Sequence, residues 1–385
     1  MTCALILRWN VQAENYDPLS RIPEDGKLNF TGLAMKYGQQ VEEHDLITSD
    51  GYIIKLHHIF GDMKRPVLLI HGAIISSDCF VLRGETSLAI ILARKGYDVW
   101  AFNIRGNVYS RRHLILDADK NKEFWDFSLH EIAYYDIPLA IDFVLSVTGQ
   151  KKLQAIGYSK GTTLVYIMGA IKPEYNEKIS IFVSLAPVSH LQNTKPYMSA
   201  VIEFSPSINT ALISTELFGY NSIYKTIYTM ICSQKIGYDL CLRLGVFPVT
   251  GADSAELEPE FFLASLGQFP DGTSRKNLAH YAQIGRNKRF AQYDYGREKN
   301  LEMYNTDPPP LYDLEKATLA TALICGKNDK ISTLRDVKIL KAQLPNLISY
   351  RVMEPELFNH LDHVWGKSVH KISYPFILKL LSEYN

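Results

Sequence analysis

The chain repeatedly sets a short, almost continuously apolar run ahead of a stretch with helical spacing, and few architectures accept that pattern. "RPVLLIHG" (65–72), "YDVWAFNIRG" (97–106), "KLQAIGYS" (152–159) and "ISIFVSLAPVS" (179–189) read as strands buried on both faces. Between them, "SLAIILARKG" (87–96), "FSLHEIAYYDIPLAIDFVLSVTG" (127–149) and "TTLVYIMGAI" (162–171) read as helices, the first two stopped by Gly96 and Gly149. Doubly buried strands alternating with helices require a mostly parallel central sheet covered on both sides, an α/β fold. Ahead of it, "VEEHDLITSDGYIIKLHHIF" (41–60) reads as two strands joined at Ser49-Asp50-Gly51. His57 and His58 of this hairpin are expected to face solvent, far from any site.

The alternation lapses over 190–310, where short helical stretches, Pro, Ser and Tyr replace the strand series. After Pro308-Pro309-Pro310 it resumes: "ATALICG" (320–326) is a strand, "LRDVKILKAQL" (334–344) a helix, "LISYRVM" (347–353) a strand and "SVHKISYPFILKLLSEY" (368–384) a helix. One sheet domain with an inserted helical cap accounts for this better than two tandem domains. The expected division is an N-terminal segment (1–36), a core (37–189 and 311–385) and a cap or lid (190–310).

Forty-one basic residues balance 41 acidic ones, so no basic face announces a nucleic-acid partner. No apolar run approaches the ~20 residues of a membrane span. The opening "MTCALILRW" has an apolar stretch of about five residues before Arg8, short of a secretory signal's core. It reads as a truncated signal or as the start of an intracellular chain. Cys3, Cys79 and Cys325 stand alone, whereas Cys232 and Cys241 can close a small loop by a disulfide in an oxidising compartment. No further ligand stands at zinc spacing around that pair. Asn29-Phe30-Thr31 is the sole N-x-[ST] sequon.

Chemistry concentrates in "IGYSKGTT" (156–163), where Gly157, Ser159 and Gly161 satisfy G-x-S-x-G between a strand and a helix. That turn exposes a serine hydroxyl at the C-terminal edge of the sheet, where open α/β sheets bind ligands. A serine nucleophile needs a base, and the base an orienting acid, in the chain order Ser, Asp/Glu, His. Asp329 stands just past the strand ending at Gly326, and His360 in the loop before the C-terminal helix. His363 is the main rival base. Asp336 is the runner-up acid, although its place suits a first-turn carboxylate, and Asp362 suits a hydrogen-bond acceptor within the His360 loop. Two backbone N–H groups would hold a developing oxyanion, that of Lys160 and that of Ala73 after His71-Gly72. His71 itself suits packing of its loop.

From about Asn29 onward the chain resembles the acid lipases, the family of gastric, lysosomal and many insect lipases. "NFTGLAMKYG", "HDLITSDGYIIKLHHI", "LLIHG", "SLAIILARKGYDVWAFNIRGN", "KEFWDFSLHEIAYYDIPLAIDFVL", "GTSRKNLAHYAQ", "FAQYDYG", "PPPLYDL", "GKND" and "FNHLDHVWG" carry the likeness in order. The resemblance implies an α/β-hydrolase fold with a helical cap and lid, and Ser159, Asp329 and His360 as nucleophile, acid and base. It further implies oxyanion donors at Ala73 and Lys160, a Cys232–Cys241 disulfide, a glycan at Asn29, and a secreted or lysosomal location. This sequence departs from the family at Tyr158 and Lys160 (family His and Gln), Ile104 (Ser) and His363 (Phe), and the stretch before His360 is about one residue longer.

The expected activity is hydrolysis of lipid esters, acylglycerols first and cholesteryl esters next, through an acyl-enzyme and without metal or organic cofactor. The cap would cover an acyl channel and touch lipid surfaces transiently. A lipid carrier on the same fold and an esterase for small soluble esters are the alternatives.

Overall fold

The computed structural model describes residues 21–206, 214–219 and 223–384. The expectations for residues 1–20, including Cys3 and the signal-like opening, lie outside the described residues.

The strands are β1 (Val41–Ile47), β2 (Tyr52–Ile59), β3 (Asp62–Ile70), β4 (Tyr97–Phe102), β5 (Arg112–His113), β6 (Leu153–Tyr158), β7 (Ile179–Leu185), β8 (Glu216–Leu217), β9 (Thr273–Ser274), β10 (Thr321–Cys325) and β11 (Leu347–Val352). The main sheet runs β1-β2-β4-β3-β6-β7-β10-β11, with β5 pairing on β2. Pairings from β4 through β3, β6, β7 and β10 to β11 are parallel, and those of β2 with β1, β4 and β5 antiparallel. The β8–β9 pair, two residues each, is separate and falls in the 190–310 stretch, where helices otherwise dominate.

The apolar runs behave as a two-faced sheet demands. In β3, Val67 and Leu69 join one core while Leu68 and Ile70 join the other. Helices Leu88–Arg94 and Tyr374–Glu383 pack on the first face, and Ile137–Thr148 and Lys160–Ile171 on the second. The long helical stretch begins in a capping box, Ser128 with Glu131, and ends at Gly149, as its sequence requires. The 368–384 stretch is two helices, Val369–Ile372 and Tyr374–Glu383, because Pro375 has no N–H to continue the first.

The fully buried Arg105 guanidinium binds Asp136 on one side and Asp50, in the hairpin turn, on the other. It thereby fixes the loop after β4 against both the hairpin and a helix. The expectation that His57 and His58 face solvent is overturned, for both are buried. Side chains cover both faces of β2, Phe30 and Tyr109 on the His57 side and Trp100 and Phe60 on the His58 side. His57 stacks on Phe30 at 4.4 Å, and His58 on Trp100 at 3.6 Å.

Candidate active site

Ser159 occupies the turn between β6 and the helix Lys160–Ile171 with φ 53° and ψ −113°, a backbone conformation that costs about 1–3 kcal/mol for a non-glycine residue. The flanking glycines allow it. A Cβ on Gly161 would lie 2.2 Å from the Ile70 carbonyl oxygen, and one on Gly157 3.0 Å from the Phe182 ring. Ser159 N–H donates to the Leu185 carbonyl at 3.0 Å, which ties the turn to β7.

The structure brings Ser159, His360 and Asp329 together from three separate loops. His360 Nε2 lies 2.8 Å from Ser159 Oγ, and His360 Nδ1 lies 2.8 Å from Asp329 Oδ2. The other Asp329 oxygen accepts from the N–H groups of Ile331 and Ser332 at 2.9 and 2.7 Å, so the carboxylate is aimed and held. An imidazole that shares a proton with a carboxylate through Nδ1 presents Nε2 as the acceptor for a hydroxyl proton.

The loop of His360 is locked from several sides. Asn359 N–H donates to Asp362 Oδ2 at 2.7 Å, and Asn359 Oδ1 accepts from the Leu361 N–H at 2.8 Å. His360 N–H donates to the Thr250 carbonyl at 3.2 Å. Tyr158 O–H donates to the His360 carbonyl at 2.9 Å. The remaining sequence candidates have structural places. His363 is wholly buried against Phe358, neither ring nitrogen has a hydrogen-bond partner among the described residues, and burial holds its pKa down at about 3. Asp336 accepts from Thr333 Oγ and Asn193 Nδ2 near the start of the helix Leu334–Gln343. His71 lies 2.8 Å from the Gly72 carbonyl through Nδ1 and accepts from the Ile104 N–H at 3.0 Å, fixing the loop that carries Ala73.

Lys160 N–H lies in the first turn of its helix, whose leading N–H groups have no intrahelical acceptor, and Ala73 lines the same cavity as Ser159. Ile74, next to Ala73, has φ 50° and turns the loop sharply. The Lys160 side chain does not reach solvent. It is 3% exposed, and burial pushes its pKa down to about 8 against the opposing pull of Asp271 and then Asp136.

Above Ser159 and His360 lies a cavity of about 730 Å³, lined mainly by apolar side chains such as Leu191, Ile202, Val246, Phe269 and Trp365. Cys232 and Cys241 form a disulfide, Cα–Cα 5.7 Å, that joins the helix Ile223–Cys232 to the turns at Tyr238–Val246 on the cavity wall. Sequence reasoning missed a buried polar group beside this wall. Asp78 accepts from Tyr109 O–H at 2.7 Å and Asp271 from Gly272 N–H at 2.6 Å, both beneath Lys225. Burial raises the two carboxyl pKa values to about 7 and about 6. These residues are scattered through the chain and share no motif, so no local signal marks them.

A parallel sheet whose central strand ends in a strained serine turn, with acid and histidine supplied from later loops, defines the α/β-hydrolase class. The chain matches a partial α/β-hydrolase lipase region over residues 30–84 and the α/β-hydrolase fold over 65–204. It is 37% identical to Lipase 1 of Drosophila melanogaster over 94% of this chain and 81% of that protein. It is 32% identical to human gastric triacylglycerol lipase over 92% of this chain and 91% of that one. The protein belongs to the α/β-hydrolase lipase family. Its fold also aligns with a soluble variant of Saccharomyces cerevisiae monoglyceride lipase at TM-score 0.55 and 15% identity, covering 88% of this chain and 96% of the other.

Proposed function

We propose that this protein is a serine carboxylic ester hydrolase acting on lipid esters, acylglycerols first and cholesteryl esters next. The observation that carries the reading is the hydrogen-bonded series Ser159–His360–Asp329 opening onto an apolar cavity. Ser159 Oγ attacks the ester carbonyl while its proton passes to His360 Nε2, and Asp329 steadies the imidazolium. The N–H groups of Lys160 and Ala73 receive the oxyanion. Collapse expels the alcohol, which takes the proton from His360. A water activated by His360 then releases the fatty acid from Ser159. The acyl chain lies along the apolar cavity, whose volume suits a ligand of that size.

The cap side is also proposed to meet lipid surfaces. In its favour, Tyr197, Val201 and Phe204 are exposed along one helical stripe, and Ile236, Leu240 and Leu244 are exposed nearby in the chain. No helix among the described residues is long and apolar enough to cross a membrane, so contact would be peripheral. The disulfide favours a secreted or lysosomal location, and the exposed Asn29, which caps the helix Phe30–Lys36, is accessible for a glycan.

Labelling with a fluorophosphonate probe tests the assignment. One adduct on Ser159, absent from Ser159→Ala, is expected, together with faster turnover of long-chain than of short-chain esters. An unlabelled Ser159 overturns the mechanism. A preference for short soluble esters overturns the lipid assignment.

A further inference from the structure

The register of the first hairpin sets three metal-ligating side chains on one face of the sheet, with β4 and β3 between the hairpin and β6 with its serine turn. Glu42 and His44 are two residues apart on β1 and so project to the same side, and Glu42 pairs directly across from His58 on β2. One donor atom from each of the three lies within 4.8 Å of the other two.

The imidazoles are prepared for a ligand that is not a hydrogen-bond donor of the protein. His58 Nε2 lies 2.6 Å from Asp98 Oδ1, and Asp98 also accepts from Gly61 N–H at 3.1 Å and Trp100 Nε1 at 2.7 Å. A carboxylate that only accepts requires a His58 proton on Nε2, and in the neutral ring this leaves Nδ1 with its lone pair. His58 is 4% exposed, and its Nδ1 is buried with no hydrogen-bond partner among the described residues. His44 Nε2 is likewise buried and lacks a hydrogen-bond partner among the described residues, with Glu42 Oε2 3.8 Å away. His58 is held in place by its stack on Trp100, and His44 lies 5.0 Å from Phe143. Two unpartnered buried nitrogens, one on each strand beside the Glu42 carboxylate, ask for an explanation.

We propose that Glu42, His44 and His58 bind one divalent transition-metal ion of the zinc type, with Asp98 orienting His58. Two imidazole nitrogens and one carboxylate suit Zn²⁺, Co²⁺, Ni²⁺ or Cu²⁺ and are a poor set for Ca²⁺ or Mg²⁺, which favour oxygen donors. Asp98 supplies the carboxylate that conventionally backs a metal-bound histidine. Metal bonds of ~2.1 Å place tetrahedral donors roughly 3.4 Å apart, so the three groups must close slightly. The Glu42 side chain, 53% exposed, and the His44 side chain, 18% exposed, have the freedom to do so. The exposed side leaves the fourth position to water. Such an ion would clamp the edge strand β1 to β2 and stabilise the fold without touching the ester chemistry.

The spacing gives no zinc signature, since Glu42-x-His44 and a histidine fourteen residues on meet only through the hairpin. Calorimetric titration of the chelator-treated full chain with ZnCl₂ at pH 7.5, alongside thermal melts, tests the site. One saturable site is expected, with a melting temperature raised by several degrees and no response to CaCl₂. Glu42→Gln and His44→Gln sit at the edge and spare the buried His58 stack; each is expected to weaken binding roughly tenfold to a hundredfold. His370→Gln, at a half-buried histidine elsewhere, is expected to bind as the parent does. Absence of saturable binding, or unchanged affinity in both edge variants, overturns the proposal.

Discussion

The phenol of Tyr158 donates a 2.9 Å hydrogen bond to the backbone carbonyl of His360, and the two rings lie 5.4 Å apart. The residue just before the nucleophile thus anchors the loop that carries the base. Tyr158→Phe keeps the ring packed against Gly72 and removes only the donor. A buried hydrogen bond contributes about 1 kcal/mol, so kcat should fall about three- to tenfold. Steady-state kinetics on an emulsified ester reads this directly. An unchanged kcat would mean that the Asn359–Asp362 contacts hold His360 unaided.

His363 fills a position that the family gives to phenylalanine, and it behaves as one: buried, set edge-on to Phe358 at 4.8 Å, with two unpartnered nitrogens among the described residues. His363→Phe should stabilise the protein by about 1–2 kcal/mol at neutral pH by removing those buried polar atoms. The advantage has a pH signature. The folded-state pKa is near 3 and the ordinary value 6.5, so between them the unfolded chain binds the proton and the folded one does not. The parent therefore loses stability as pH falls through that window, and the gap in melting temperature should widen from pH 7 to pH 4.

Most of the sheet was legible because doubly buried strands and amphipathic helices leave different periodicities, and β6 with its turn could be placed to within a residue. The chain order Ser, Asp, His, the loops after the late strands and the family resemblance together chose the three residues that now lie within hydrogen-bond reach. What local pattern could not show was pairing. His57 and His58 look like the polar half of a solvent-facing hairpin until Phe30 and Tyr109 are seen against one and Trp100 against the other. The link from Tyr158 to His360 joins positions 202 apart, and Asp78, Asp271 and Lys225 meet only when the chain is folded.

The Cys232–Cys241 disulfide closes a short loop between two segments that both line the cavity. In the chain-entropy picture a loop of that size contributes about 2–3 kcal/mol. The Cys232→Ser/Cys241→Ser variant should unfold at lower denaturant by that amount. Amide hydrogen exchange should quicken over residues 223–250 before it changes in β6 or β7, because the loss is local to the cavity wall. Uniform exchange across the chain would place the disulfide's effect on global stability alone.

Lys160 separates a side chain from a backbone role. Its N–H is the group proposed to meet the oxyanion, and any residue but proline supplies that, so Lys160→Gln should change kcat/KM less than tenfold. A loss of several hundredfold would mean that the ammonium takes part in the chemistry. Stability should move the other way. The buried side chain titrates near 8 in the folded protein against 10.5 ordinarily, so below pH 8 the fold carries a charged, poorly solvated ammonium. Between about 8 and 10.5 the unfolded chain holds the extra proton, and the parent gains stability as pH rises. Lys160→Gln should therefore melt a few degrees higher than the parent at pH 7, and the difference should shrink as pH is raised toward 10. Asp271 keeps Lys225 as a neighbouring cation in the variant, which limits the compensating loss. A difference that grows above pH 8 would mean that Asp271 and Asp136 stabilise the ammonium more than burial penalises it.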